Sequence, residues 1–328
     1  MEIYLVFTAV LLSHLPLAFT NFAYVGLHGP QHWGEDYNEC VGKHQSPINI
    51  EEHIVKNVSF PQLQFLGFKS SRGCSIENNG HTVMMKMNKT DGPSIFGGPL
   101  GSHEYVFEQL HFHWGENDHE GSEDLINNHS FAMELHAVFY NKIYGSFQQA
   151  IHHPDGLTVL AYFFEASEQD NPNYALIVES LSLIEAVDSS TKLSPMALES
   201  LLLPNPAVLQ DYFTYNGSLT TPPCSEVVTW IDFKQALPLS HNQIAAFRNV
   251  RTPEGVKLTR NFRPIQPLED RVVYHNIRVP KDKSHSHDFG GSGQSALHVS
   301  LPIALGAMLL TTPPEIWTGV VDLLTPIR

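Results

Sequence analysis

Cysteine is scarce: the 328 residues hold only Cys40, Cys74 and Cys224. At most one disulfide can form, one thiol is left over, and three pairings are open. Basic residues are also few, 19 Lys and Arg against 34 Asp and Glu, a formal net charge of −15. That balance argues against nucleic acid as a partner, because phosphate binding needs a basic surface. No apolar run is comfortably long enough to span a membrane, which takes about 20 residues. Leu5–Phe19 is broken by His14 and Pro16, and Ala296–Leu310 contains His298 and Pro302. No His-Glu-x-x-His motif is present, which removes the usual helix of a zinc peptidase. There is no internal repeat, and no linker divides the body of the chain.

Histidine, by contrast, is plentiful, with 19 residues. The stretch Gln109-Leu-His-Phe-His-Trp-Gly115 alternates as a strand does, with period two. Gln109, His111 and His113 then share one face, and Leu110, Phe112 and Trp114 the other. Two imidazoles two apart on a strand can chelate one metal ion, and neutral imidazole is the commonest zinc ligand. Phe131–Tyr140 alternates too, with Glu134, His136 and Val138 on one face. His136 supplies a third ligand. Glu134 is a carboxylate able to take the second ring N–H of a ligand histidine from either strand. Three histidines and an open position suit a catalytic zinc rather than a closed structural one.

The rest of the chain reads as short strands with scattered short helices. Tyr24–Trp33 is a loop rich in Gly and Pro. Asn78-Asn79-Gly80 signals a tight turn. It would leave His81 exposed, a setting for a plain surface histidine or for a proton carrier. Glu116–Asn128, which includes Glu123, is a polar loop. Leu157–Phe164 and Val227–Phe233 are expected strands. Helical spacing is found in Asn173–Leu183, Pro195–Leu203 and Leu237–Arg248, the last with Ser240 and Gln243 placed as a capping box. Thr220-Thr-Pro-Pro223 is expected to be an extended loop. Its rigidity either is purely structural or holds a hydroxyl at a set position.

The ends differ from the body. Residues 1–20 read as a signal peptide, although Glu2 stands where a basic residue is usual. Asn57, Asn88 and Asn128 begin glycosylation sequons, as does Asn216. Lys281–Gln294 is polar and rich in Gly, Ser and His, and the apolar Ala296–Leu310 follows. Residues 281–328 thus resemble a flexible segment plus a glycosylphosphatidylinositol-type anchor signal. Such signals end in the apolar run, whereas this chain continues to Arg328.

From about Phe22 to about Val279 the chain resembles an alpha-class carbonic anhydrase of the secreted or membrane-anchored kind. The motifs that carry the likeness are Tyr24–Trp33, Gln45-Ser-Pro, Asn79-Gly-His81, the histidine strand, Glu134-Leu-His136, Ser218-Leu-Thr-Thr-Pro-Pro223 and Asn261-Phe-Arg-Pro264. The resemblance implies an α+β fold, a single domain over residues 21–280 built on a large twisted, mostly antiparallel sheet with short peripheral helices. It implies a Zn2+ cofactor on His111, His113 and His136, and reversible hydration of carbon dioxide to bicarbonate and a proton by zinc-bound hydroxide. Thr220 and Glu123 would orient that hydroxide, Gln109 and Glu134 the ligands. His81 would be the proton shuttle, with Tyr24 and Asn79 on a polar wall. Val138, Val159, Leu219 and Trp230 would form the pocket for carbon dioxide. Sulfonamide-type inhibitors would bind. Cys40 and Cys224 would form a disulfide, leaving Cys74 free, and Asn216, beside the active-site loop, would stay unglycosylated. Phe22, where tryptophan is common, and Met84, where Asn or Gln is common, depart from the pattern.

Overall fold

The computed structural model describes residues 22–88, 92–203, 205 and 208–277. The signal-peptide and anchor readings, at residues 1–20 and 281–328, fall outside them. Among the described residues the strands are β1 (Asn49–Ile50), β2 (Lys56–Val58), β3 (Gln64–Leu66), β4 (Arg72–Asn78), β5 (Val83–Met87), β6 (Ser94–Phe96), β7 (Tyr105–Trp114), β8 (Leu125–Ile126), β9 (Met133–Asn141), β10 (Leu157–Ser167), β11 (Ser190–Met196), β12 (Tyr212–Gly217), β13 (Val228–Ser240) and β14 (Tyr274–Asn276). β1 and β8 pair with each other. The other twelve form one large twisted sheet in the order β11-β4-β5-β7-β9-β10-β13-β12-β14-β2, with β6 against β7 and β3 against β6. Within it only β10–β13 and β14–β2 run parallel. The expected α+β architecture on a mostly antiparallel sheet is the observed one.

Alternation along the central strands sorts side chains to two sides. Leu110, Phe112 and Trp114 of β7 join Leu135, Ala137 and Phe139 of β9 and Leu160, Tyr162 and Phe164 of β10 in one apolar cluster. Val138, Val159, Ala161, Phe163 and Trp230 lie in a second cluster on the opposite side. Burying each large apolar side chain is worth roughly 1.5–3 kcal/mol. A one-residue slip of β7 would expose Leu110, Phe112 and Trp114 and turn its histidines inward to the wrong face. Hydrophobic patterning therefore fixes where the imidazoles point.

The helices are short: α1 (Trp33–Asp36), α2 (Phe147–Ala150), α3 (Ala175–Ser180), α4 (Leu198–Leu202) and α5 (His241–Phe247). No helix among the described residues is long and apolar enough to cross a membrane. The Ser240–Gln243 capping box is present, but the helix starts at His241. Leu237–Ser240 instead pairs with Phe164–Ser167 as the end of β13, so sheet pairing overrides the helical spacing there. Pro195 likewise lies in β11, and α4 begins only at Leu198. The Tyr24–Trp33 segment is not wholly irregular, since it winds through two 3-10 turns, Gly26–His28 and Pro30–His32. Asn57, Asn88, Asn128 and Asn216 are all exposed.

Cys40 and Cys224 form a disulfide across 184 residues of sequence, while Cys74 is free and buried. Closing so long a loop stabilises by about 5 kcal/mol in the chain-entropy picture. Arg263, itself buried, braces the same corner. Its guanidinium donates to Gln45 Oε1 at 2.9 Å, Ser46 O at 2.8 Å and Cys40 O at 2.9 Å.

Candidate metal centre

Antiparallel pairing of β7 with β9 sets His111 opposite His136. His113 lies two residues along β7, so three rings converge. Their centroids are 5.0 Å apart for His111–His113, 5.2 Å for His111–His136 and 4.5 Å for His113–His136. One ring nitrogen from each falls within 4.8 Å of the others. The remaining nitrogen of each ring is tied back. His111 Nδ1 is 2.9 Å from Gln109 Oε1, His113 Nδ1 is 2.8 Å from the Asn261 carbonyl, and His136 Nε2 is 2.6 Å from Glu134 Oε1. An acceptor on one nitrogen fixes the tautomer and leaves the other lone pair for a cation. The converging atoms are therefore Nε2 of His111, Nε2 of His113 and Nδ1 of His136.

Electrostatics suit the same role. Burial, then the neighbouring imidazoles, hold His111 and His113 well below the usual histidine range, and burial pushes His136 down to about 3. Neutral rings are what a metal binds, since a protonated nitrogen has no lone pair to give. His113 Nε2 is buried without a hydrogen-bond partner among the described residues. A buried lone pair of this kind is costly unless something takes it up. The donor set thus fits a tetrahedral, nitrogen-preferring ion with one open position.

Around the ligands, Glu134 is saturated as an acceptor. Its Oε2 receives the backbone N–H groups of Glu123 at 2.8 Å and Asp124 at 3.0 Å. Burial pushes its carboxyl up to about 8, and those two amides pull the other way. Glu123 receives the Arg263 N–H on Oε1 at 2.8 Å and the Thr220 hydroxyl, and its Oε2 lies 3.4 Å from His113 Nε2. The loop carrying Thr220 turns rather than runs extended. Pro222–Pro223 is cis, and Cys224 N–H donates to Thr221 O at 2.9 Å. A prolyl amide makes the cis form accessible.

The histidines line a cavity of about 290 Å³. Tyr24, Asn79, His81 and Gln109 contribute polar groups; Met84, Val138, Val159, Leu219 and Trp230 contribute apolar ones. Burial, with Glu123 nearby, holds the Tyr24 phenol well above its usual range, so it stays neutral. Trp230 packs edge-on against His136, 4.8 Å between centroids. Of the residues expected for ligation, catalysis and the pocket, Glu123 and Glu134 contact ligand histidines from outside the cavity lining, and the others line the cavity. Met84, opposite His111 in the strand register, gives the cavity an apolar edge there.

His81 is half-buried, not exposed, because its ring stacks on Phe22 at 3.9 Å between centroids. Asn79 also does more than line the wall: its Oδ1 receives the N–H groups of His81 at 3.0 Å and Thr82 at 2.9 Å, fixing the turn.

A family model, eukaryotic-type carbonic anhydrase, matches residues 28–277. This chain belongs to that family. It is 35% identical over 301 residues to carbonic anhydrase 15 of Mus musculus, covering 89% of each chain. It is 37% identical over 258 residues to carbonic anhydrase 7 of Homo sapiens, covering 76% of this chain and 95% of the relative. A third relative, carbonic anhydrase 1 of Monodelphis domestica, is 35% identical over 264 residues, 78% of this chain and 98% of the relative. As a carbonic anhydrase the chain is a zinc-dependent lyase, a carbonate dehydratase.

Within that family assignment, sequence reasoning undervalued Asn261. It is fully buried, its carbonyl fixes His113, and its side chain binds Trp114 N, His81 O and Phe112 O. A polar residue inside Asn261-Phe-Arg-Pro264 was visible as a motif, but its partners lie up to 180 residues away.

Proposed function

We propose that this chain catalyses reversible hydration of carbon dioxide to bicarbonate and a proton, with His81 carrying the proton between the cavity and solvent. The observation that supports it most is the convergence of three neutral imidazoles, each locked by its own acceptor. His111, His113 and His136 would hold zinc; Gln109, Asn261 and Glu134 keep their rings in place. When bound, zinc supplies the Lewis acidity that brings a water molecule towards ionisation near neutral pH, carbonic anhydrase being itself the type case.

The protein's own groups do the rest. The Thr220 hydroxyl donates a hydrogen bond to Glu123, so its oxygen is left as an acceptor for the nucleophile. That fixes which way the attacking lone pair points, which is catalysis by orientation. Val138, Val159, Leu219 and Trp230 give carbon dioxide an apolar resting place beside the ligands. Tyr24, Asn79 and Gln109 supply polar surface along which water can lead to His81.

The same reading extends outward. Residues 1–20 act as a signal peptide, 21–280 are the catalytic domain, and 281–328 carry a glycosylphosphatidylinositol-type anchor signal. The enzyme then works outside the cell, secreted or on the outer membrane face, with glycans at Asn57, Asn88 and Asn128. The Cys40–Cys224 disulfide is consistent with that compartment. Sulfonamide-type inhibitors would enter the same cavity beside the three histidines.

His81→Ala tests the shuttle. Turnover should fall in weak buffer and return in part with added imidazole, while kcat/KM stays near wild type. A variant insensitive to buffer would remove His81 from the proton path.

A further inference from the structure

Phe22, Tyr24 and His81 line the catalytic cavity and also a second chamber, of about 110 Å³, whose walls include residues 252–254 and 256–260. The Phe22 and His81 rings, 14° from parallel, stand where the two spaces meet. Charged groups facing the smaller chamber are Glu116, Glu254, Lys257 and Arg260. Lys257 Nζ donates to Asn249 Oδ1 at 2.9 Å, and the Arg260 guanidinium lies over the Phe262 ring at 4.6 Å. Glu254 is exposed and lines the same chamber as His81, whose charged form its carboxylate favours against the burial of the ring.

Resting on the shuttle reading, we propose that Glu254 is the counter-charge of the His81 imidazolium, and that the smaller chamber is the side from which the proton leaves to a buffer base. A proton carrier must be basic enough to accept from the cavity and acidic enough to release to buffer near neutral pH. Burial works against the charged ring, and a carboxylate across a small chamber works for it. The step balances simply. The ring gains one proton from the cavity side, is held as a cation opposite one carboxylate, and loses one proton to the buffer base. No bond other than N–H changes and no electron moves. Glu254 acts through His81 and is therefore a positioning residue, not a catalytic one.

Glu254→Gln keeps shape and removes charge. Histidine NMR of the zinc-loaded enzyme, with His81 assigned by its loss in His81→Ala, should show His81 titrating at lower pH in the Gln variant. In weak buffer kcat should fall by about two- to five-fold, the factor an exposed ion pair carries. The deficit should shrink at high ionic strength, and imidazole should restore kcat. kcat/KM should be unchanged, and Glu254→Asp should behave as wild type. An unchanged His81 titration and unchanged kcat would overturn the proposal. If His81→Ala is slow and imidazole-rescued while Glu254→Gln is normal, this inference fails and the shuttle stands. If His81→Ala itself is normal, both fall.

Discussion

Asp232 lies on the same side of β13 as Trp230, fully buried, and neither of its carboxyl oxygens has a hydrogen-bond partner among the described residues. Its neighbour Asp124 is better served, receiving Ile48 N–H at 2.7 Å and the Tyr215 hydroxyl at 3.1 Å. Burial first, then Asp124 and Glu134, hold Asp232 well above the usual carboxylate range. It is therefore kept protonated in the fold, while in the unfolded chain it ionises at about pH 4. The native state then binds more protons than the unfolded state, and stability falls as pH rises. Neutral Asp232 contributes fully below about pH 4 and progressively less as pH climbs towards its raised native value. Asp232→Asn removes that slope. In urea titrations from acidic to alkaline pH, the Asn variant should gain on wild type steadily as pH rises. A difference independent of pH would mean that Asp232 is ionised in the fold.

Among the elements, the turn between β4 and β5 carries the most function for its size. Gly80 sits at φ +86°, and a Cβ there would come within 2.9 Å of Val187 Cγ2 and 3.2 Å of Pro253. Gly80→Ala should cost at least about 1 kcal/mol from the left-handed backbone alone. It should also displace His81, so buffer-limited kcat falls while kcat/KM holds. A shift in the denaturation midpoint with no change in buffer dependence would separate the turn from the shuttle. The turn and the two histidine strands were readable in the sequence because their signals are local. Asn-Asn-Gly names a turn, and period-two alternation puts Gln109, His111 and His113 on one face before any partner is known. What escaped was non-local. The burial of His81 depends on Phe22, the anchoring of His113 on Asn261, and the start of α5 on strand pairing with Phe164–Ser167. None of these leaves a periodic trace near the residue it affects.

At the scale of the whole molecule, the ligand strands β7 and β9 lie deep in a twelve-strand sheet, flanked by β5 and β10. Two apolar clusters, one on each side, hold them in register. The disulfide ties Cys40 to the loop that presents Thr220, and Arg263 ties the same segment to Glu123. Rigid placement of this kind lets neutral imidazoles stay poised at fixed separation, which a mobile loop would not achieve. The measurement that reaches the centre of this account is stopped-flow carbon dioxide hydration on purified protein and on His113→Asn, with zinc content and folding measured on the same samples. Wild type should carry one zinc per chain and hydrate rapidly with sulfonamide sensitivity, whereas folded His113→Asn should hold far less zinc and turn over far more slowly. A folded His113→Asn with full zinc and normal turnover, or a zinc-replete wild type that does not hydrate carbon dioxide, would contradict it.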